Sequence, residues 1–409
     1  MRFLHLADLH FGKSLHGRSL LAEDQTVWAE RFLELAASLR PDAVVIAGDV
    51  YDRGAPAAEA VDLLSRFLTG LCDLDIPVLL IPGNHDSAQR LAFGRELLSH
   101  RGLHIAAPLS APGRLERVTL ADEHGPVTFW LMPYVFPALI ANALGDESLR
   151  DYDGAVRALL DAQGLDFSAR NVLIAHQNVT AGGREAERGG SETMVGGVGQ
   201  IDYTAFDGFD YAALGHIHAG YWVGRKEVRY AGSPLCYHFN EAKQAEKGPV
   251  LVTLGAKGER VQTEVLHIPP LHPLKPWKGT WAEIRALAEQ AEPKCFVSAT
   301  LTDRRLTPEI CDELSTTLEQ RDCVLLERSS VYRQFTTANG PLSAGEARER
   351  SLPELFTDFY RGKRDGADPS DEERALIEYA AELIAGSDGP EADAALAERL
   401  LRRAKEAGR

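Results

Sequence analysis

The sequence predicts an α/β fold of layered sheets flanked by helices, then a small second α/β unit and a helical tail. Three observations predict it. Short apolar runs alternate with amphipathic stretches over the first part of the chain, the β-α-β-α-β rhythm of a layered core. A proline cluster, Pro269, Pro270, Pro273 and Pro276, separates that core from a second strand-and-helix pattern. Beyond residue 350 the pattern is polar and helical, with two S-x-x-E helix starts. At 409 residues the chain exceeds one typical domain, and the expected divisions are 1–268, 269–340 and 341–409.

The elements follow in order. Residues 3–6 form the first strand. Residues 24–39 carry Val27, Trp28, Phe32, Leu35, Ala36 and Leu39 at helical spacing, and Pro41 stops them. Residues 43–47 are a buried strand that ends at Gly48-Asp49. Residues 59–71 are amphipathic through Val61, Leu64, Leu68 and Leu71, and residues 77–81 are a strand broken by Pro82-Gly83. Strands follow at 128–132 and 172–175, the second ending at His176. The glycine-rich stretch 182–199 has no periodicity and reads as a disordered or mobile loop, placed to gate a site at His176. Residues 211–214 lead into Gly215-His216, and 229–233 and 250–254 read as closing strands. Residues 269–279 read as a linker. The second unit has a helix at 282–291, a strand at 295–301, a helix at 308–320 and a strand at 323–327. In the tail, Ser351 with Glu354 and Ser370 with Glu373 fit capping boxes. Leu355, Phe356, Phe359 and Tyr360 form one apolar face, and Leu376, Ile377, Ala380, Leu383 and Ile384 another.

Composition sets bounds. The 44% apolar and 25% charged fractions are those of an ordinary globular protein. No run approaches the roughly 18 apolar residues of a membrane helix. The first residues lack the apolar core of a signal peptide, so a cytoplasmic location is expected. The five cysteines form no CxxC pair. Reduced, buried thiols are therefore expected rather than a zinc site or a disulfide framework. The net charge of −16, from 44 basic and 60 acidic residues, argues against a general nucleic-acid footprint. Bound divalent cations and an acidic C-terminal third leave room for a local basic groove.

Five segments offer ligands where an apolar strand ends: Asp8-Leu9-His10, Gly48-Asp49, Gly83-Asn84-His85-Asp86, His176, and Gly215-His216-Ile217-His218. Each is weak alone. Their order, spacing and strand-end setting together read as a two-metal site that cleaves phosphate esters. Residues two apart in an extended segment share a side, so Asp8 with His10, and His216 with His218, are expected to converge. Asp49 is placed to bridge two ions, and Asn84 offers a neutral carbonyl. Mixed carboxylate and imidazole ligands suit manganese, iron or zinc better than calcium or magnesium. Two ions about 3.5–4 Å apart acidify water and clamp phosphate oxygens. His85 is the candidate proton donor or charge stabiliser, with Asp86 expected to fix its tautomer. Lys13, Arg18, Arg53 and Arg90 flank the segments as expected phosphate contacts.

The stretches DLH, GDVYDRG, GNHDS, AHQ and GHIH resemble the five motifs of calcineurin-like metallophosphoesterases. More narrowly, MRFLHLADLHFGKSLHGRSLLAEDQ, ALGHIHAGY and YAGSPLCYHF resemble the nuclease subunits of bacterial SbcC–SbcD complexes. The likeness is close from residue 1 to about residue 254 and looser beyond. It implies a layered β-sandwich flanked by helices, a small α/β capping domain that guides DNA, and tail helices that dock on an SbcC-type SMC-like ATPase. It implies two manganese ions, one held by Asp8, His10, Asp49 and His218, the other by Asp49, Asn84, His176 and His216. His85 would be the catalytic histidine, supported by Asp86. It further implies 3′→5′ exonuclease action on duplex DNA helped by ATP hydrolysis, endonuclease action on single strands and hairpins, and roles in DNA repair, recombination and replication. A homodimer would form through helices around 59–71 and 88–100. A metallophosphoesterase acting on a nucleotide or other small phosphate ester fits the five segments equally well. The second unit and the tail favour the nuclease, because a small-molecule phosphatase needs neither. The complete ligand set and His85 argue against a non-catalytic scaffold.

Overall fold

Parallel strands buried on both faces read as unbroken apolar runs, and AVVIA at Ala43–Ala47 and VLLI at Val78–Ile81 do so. The computed structural model describes residues 1–183, 199–243, 247–332, 335–337, 340–342, 351–363, 367–371, 373, 374 and 377. The expected gate at 182–199 lies, apart from its ends, outside the described residues. So do Leu376, Ala380, Leu383 and Ile384 of the second tail face.

The first sheet has six strands, in the order Gln262–Val265, Val250–Thr253, Arg2–Leu6, Ala43–Ala47, Val78–Ile81 and Leu103–Ile105. The last four run parallel, and the first two join antiparallel at one side. A second six-stranded sheet has the order Tyr221–Val223, Arg225–Tyr230, Tyr211–Gly215, Arg170–His176, Gly125–Met132 and Glu116–Asp122. Its inner four strands are parallel.

Strand alternation sorts the side chains into layers. Phe3, Val45 and Leu79 of one sheet mesh with Phe129, Ile174 and Tyr211 of the other in a single buried cluster. The Phe3 ring meets Phe129 and Tyr211 edge-on, with centroids 5.5 and 5.8 Å away. Residues of opposite parity, Leu4, Val44, Ile46 and Leu80, pack beneath helices Thr26–Leu39 and Ala58–Asp73 through Trp28, Phe32 and Phe67. On the far side Trp130, Leu173 and Leu214 pack on helices Pro137–Leu144 and Tyr152–Asp161 through Ile140, Val156 and Leu159. Burying each such side chain contributes on the order of 2 kcal/mol. The result is a helix–sheet–sheet–helix sandwich. The carboxyl ends of its parallel strands open at one rim, where open α/β sheets bind ligands.

Residues 269–279, expected as a linker, instead contain the strand Leu274–Gly279, parallel to Phe296–Leu301. It is the edge of a three-stranded sheet completed by Val324–Ser330, and Pro276 points outward from it. An edge strand tolerates proline because one side of its backbone has no ladder partner. Helices Trp281–Glu289 and Pro308–Glu319 cover this sheet through Ile284, Leu314 and Leu318. The expected strand at 229–233 is Arg225–Tyr230; the chain then leaves the sheet with Gly232 at φ 77°.

Contacts divide the chain into two compact units, Met1–Leu301 with Leu306–Ser329, and Thr302–Arg305 with Ser330–Arg409. The second unit holds helix Leu352–Lys363. There the Glu354 carboxylate accepts the Ser351 backbone N–H at 2.8 Å. Ser370 and Glu373 exchange both capping bonds, at 2.8 and 3.3 Å. Among the described residues no helix is long and apolar enough to cross a membrane.

Candidate metal centre

The site begins where neighbouring strands run out of sheet but keep pairing. Past Leu6 and Ala47, the Asp8 N–H donates to the Gly48 carbonyl at 3.0 Å and the His10 N–H to the Asp49 carbonyl at 2.9 Å. Asp8, His10, Asp49 and His216 have φ of 55°, 44°, 51° and 104°, a costly region for non-glycine residues. Asp8 and His10 therefore converge through left-handed backbone, not through the strand alternation expected from their spacing. Glycine is required beside them. A Cβ on Gly83 would lie 2.2 Å from Asp49 Oδ1, and one on Gly48 would lie 2.4 Å from His176 Nδ1.

The structure brings all seven expected ligands to this rim. Asp8, His10 and His218 form one buried group, and Asp8, Asp49 and His176 another. His10 Nε2 is 3.1 Å from His218 Nε2. Asp8 belongs to both groups, and Asp49 Oδ2 reaches towards each, 3.7 Å from His10 Nε2 and 3.3 Å from His176 Nε2. Asn84 Oδ1 is 3.0 Å from both His176 Nε2 and His216 Nδ1. The far nitrogen of His176 is anchored. Its Nδ1–H donates to the Ala47 carbonyl at 2.8 Å, which leaves Nε2 facing Asn84 Oδ1 and Asp49 Oδ2.

This donor set fits divalent cations. Buried carboxylate oxygens, an amide oxygen and imidazole nitrogens converge here, a set of lone pairs that a divalent cation would accept. The protonation states say the same. Burial lifts Asp8 to about 6. Burial opposes a charge on His176, yet the adjacent Asp49 carboxylate raises it to about 9. Burial drives His10 well below its usual range.

His85 lies outside both buried groups, its ring 4.9 Å from that of His10. Its backbone N–H donates to Asp49 Oδ1 at 2.8 Å, and its Nδ1–H donates to the Asp52 carbonyl at 2.9 Å. Asp86 does not hold the His85 ring, contrary to expectation. Its carboxylate accepts the backbone N–H groups of Gly83, Val50 and Tyr51 at 2.9, 3.2 and 3.0 Å, tying the Asn84 turn to the strand end that carries Asp49. A short side chain in such a turn reaches nearby backbone N–H groups before a neighbouring ring. The flanking cations are partly engaged. Lys13 pairs with Asp52 at 2.8 Å, Arg18 lies over the Phe296 ring, and Arg90 donates to the Gly54 carbonyl at 2.9 Å. Arg53, 3.6 Å from Asp52, is 71% exposed.

No sequence pattern singles out Glu241. This fully buried carboxylate lies 3.4 Å from His218 Nδ1 and 2.8 Å from Lys247 Nζ, and accepts the Tyr237 N–H at 3.1 Å. Burial alone would raise its pKa, but His218 and Lys247 hold it well below the usual carboxylate range. Gln25 is equally placed by structure alone. It donates to the His10 carbonyl at 2.7 Å and accepts the Gly12 N–H at 2.9 Å, clamping the first ligand loop. Carboxylates behind ligating histidines typically contribute 10–100-fold in metal affinity. Glu241→Gln should therefore weaken divalent-cation binding by roughly 10–100-fold in calorimetry; unchanged affinity would show that His218 needs no such support.

Comparison with known proteins gives the chain a family. The family model "Calcineurin-like phosphoesterase" matches residues 1–220, and the SbcD_C model, described as "Type 5 capsule protein repressor C-terminal domain", matches residues 270–364. The chain is similar to the D subunit of the SbcCD nuclease of Staphylococcus epidermidis, 31% identical over 288 residues, covering 69% of this chain and 74% of that one. It is similar to the protein of the same name from Staphylococcus saprophyticus, 31% identical over 303 residues, covering 72% and 75%. The chain belongs to the calcineurin-like phosphoesterases, metal-dependent phosphodiesterases, and among them to the SbcCD nuclease D subunits.

Proposed function

We propose that this chain is a two-manganese DNA nuclease. It is a 3′→5′ exonuclease on duplex ends when an SbcC-type SMC-like ATPase hydrolyses ATP, and an endonuclease on single strands and hairpins, acting in DNA repair, recombination and replication. The observation that carries the reading is the single Asp49 carboxylate oxygen between His10 and His176, with His85 beside it. Asp8, His10, Asp49 and His218 would hold one ion, and Asp49, Asn84, His176 and His216 the other. When bound, the ions would supply Lewis acidity for activating water and neutralising phosphate charge. His85, with Nδ1–H committed to the Asp52 carbonyl, presents Nε2 to the substrate. Protonated there, it donates to the departing sugar oxygen.

The rest of the chain takes its roles from the same reading. Residues 1–268 are the nuclease domain, 269–340 the DNA-capping domain, and 341–409 the helices that bind the ATPase. Phe356, half exposed on helix Leu352–Lys363, supports the last, because an amphipathic helix binds through such anchors. Exposed Arg53 and the ions supply positive charge locally in a chain of net charge −16. A homodimer forms around helix Ala58–Asp73 and the short helices Ala88–Leu91 and Arg95–Ser99. Val61, Phe93 and Leu97 are 43%, 85% and 77% exposed there, and exposed apolar side chains on these helices suit a protein–protein contact. Replacing both Phe93 and Leu97 by Glu should convert a dimer to a monomer in light scattering, with the melting temperature of the metal-loaded chain little changed. A dimer that survives would place the interface elsewhere.

The reading is tested by giving the purified chain end-labelled duplex DNA, a hairpin and p-nitrophenyl phosphate, with manganese and with or without an SbcC-type ATPase. Manganese-dependent cleavage of the hairpin, and ATP-dependent shortening of the duplex, are expected. Hydrolysis of the small ester with neither DNA cut would favour a small-molecule phosphoesterase.

A further inference from the structure

Cys295 and Cys323 are brought together by a part of the fold that the metal chemistry does not use. Each stands immediately before a strand, Cys295 before Phe296–Leu301 and Cys323 before Val324–Ser330, neighbours in the three-stranded sheet. Backbone bonds pin the two positions. The Lys294 N–H donates to the Asp322 carbonyl at 3.2 Å, and the Val324 N–H to the Cys295 carbonyl at 2.9 Å. The two sulfur atoms lie 3.0 Å apart, and both residues are buried. Cys72, Cys236 and Cys311 are only half-buried.

The geometry points to Cys295 and Cys323 as a reversible disulfide site, closed by a small-molecule disulfide of the glutathione type. One cysteine thiolate attacks the oxidant, forming a mixed disulfide and releasing one small thiol. The second cysteine then displaces the other small thiol. Two S–H bonds are lost and one protein S–S bond forms. The two electrons and two protons leave as the pair of reduced small thiols. The sulfurs, 3.0 Å apart, need to approach by only about 1 Å to reach disulfide length.

Access comes through the edge. Val324–Ser330 is an outer strand, half-buried along most of its length, and edge strands fray at low free-energy cost. Cys323 stands at the foot of that strand. Once closed, the bond links positions 28 apart in sequence, with helix Pro308–Glu319 between them. It holds the edge strand to its neighbour by restricting the unfolded chain. The staple also sits beside the seam with the metal-bearing layers. Phe296, next to Cys295, shares an apolar cluster with Leu15 and Leu20 of the segment after His10. Its ring stacks on His272 at 4.5 Å and carries Arg18 at 5.2 Å.

The test uses the full chain. It is incubated with oxidised glutathione, denatured in excess N-ethylmaleimide, and digested for mass spectrometry. The expected product is a linked peptide pair containing Cys295 and Cys323, with the other three of the five cysteines alkylated. Dithiothreitol before alkylation should abolish the link, and the oxidised chain should melt above the reduced one. Cys323→Ser should lose both the link and the rise in melting temperature. Five alkylated cysteines after oxidation, a stable glutathione adduct with no link, or a link involving Cys72, Cys236 or Cys311 would each overturn the assignment. The decisive readout is on the unaltered sequence, so it does not depend on a variant folding.

Discussion

Replacing His85 by Ala will slow DNA cleavage by roughly 100- to 10,000-fold, the usual contribution of a positioned general acid, and leave manganese affinity within a factor of two or so of the wild type. The separation follows from which atoms His85 uses. Its contact with the ligand set is its backbone N–H on Asp49 Oδ1 at 2.8 Å, which alanine keeps. Its ring contacts the Asp52 carbonyl through Nδ1 and lies edge-on to His10. Removing the ring therefore removes a proton donor without opening the cation site. Calorimetric titration with manganese and a gel-based cleavage assay measure the two quantities separately. Normal cleavage by the variant would remove His85 from the mechanism.

Asp49→Asn should have the larger effect. Asparagine keeps the shape and an oxygen for the His85 N–H, so the strand end survives. It removes the anion that lies 3.3 Å from His176 and 3.7 Å from His10. It also puts an amide N–H, which cannot ligate a cation, where one carboxylate oxygen could stand. The oxygen that reaches towards both ligand groups is lost as a charge, so both ions should bind weakly. Cleavage should fall at least as far as in His85→Ala. The rise in melting temperature that manganese gives the wild type, by mass action on the folded state, should shrink or disappear. Because the variant no longer buries this carboxylate, its metal-free form should melt near the metal-free wild type. Wild-type metal affinity in Asp49→Asn would contradict a bridging role.

The proposed ligands are legible in the sequence because each stands directly after an apolar run that a glycine or a sheet edge terminates. Asp49 after AVVIA and His176 at the end of Arg170–His176 are the clearest. The reason they converge is not legible. Positive φ at Asp8, His10, Asp49 and His216 is a product of packing between two sheets, and no local pattern announces it. The role of Asp86 escapes the sequence for a related reason, since adjacency to His85 says nothing about which backbone groups a turn brings within reach. Glu241 sits in a polar stretch, NEAKQAEK, where one buried acid looks like its neighbours. The strand Leu274–Gly279 is hidden by Pro273 and Pro276, which a strand accepts only at an edge, and edges are a property of the sheet. The pairing of Cys295 with Cys323 likewise depends on two strands joined through a helix, a separation at which spacing carries no signal.

We propose that cleavage requires two cations sharing Asp49. This is tested most directly by stripping the chain of metal, adding manganese in steps, and following bound ions and DNA cleavage in the same samples. Cleavage should be absent without metal and reach its maximum as the second ion per chain is bound. Full activity in the stripped chain, or saturation of cleavage at one ion, would contradict the account.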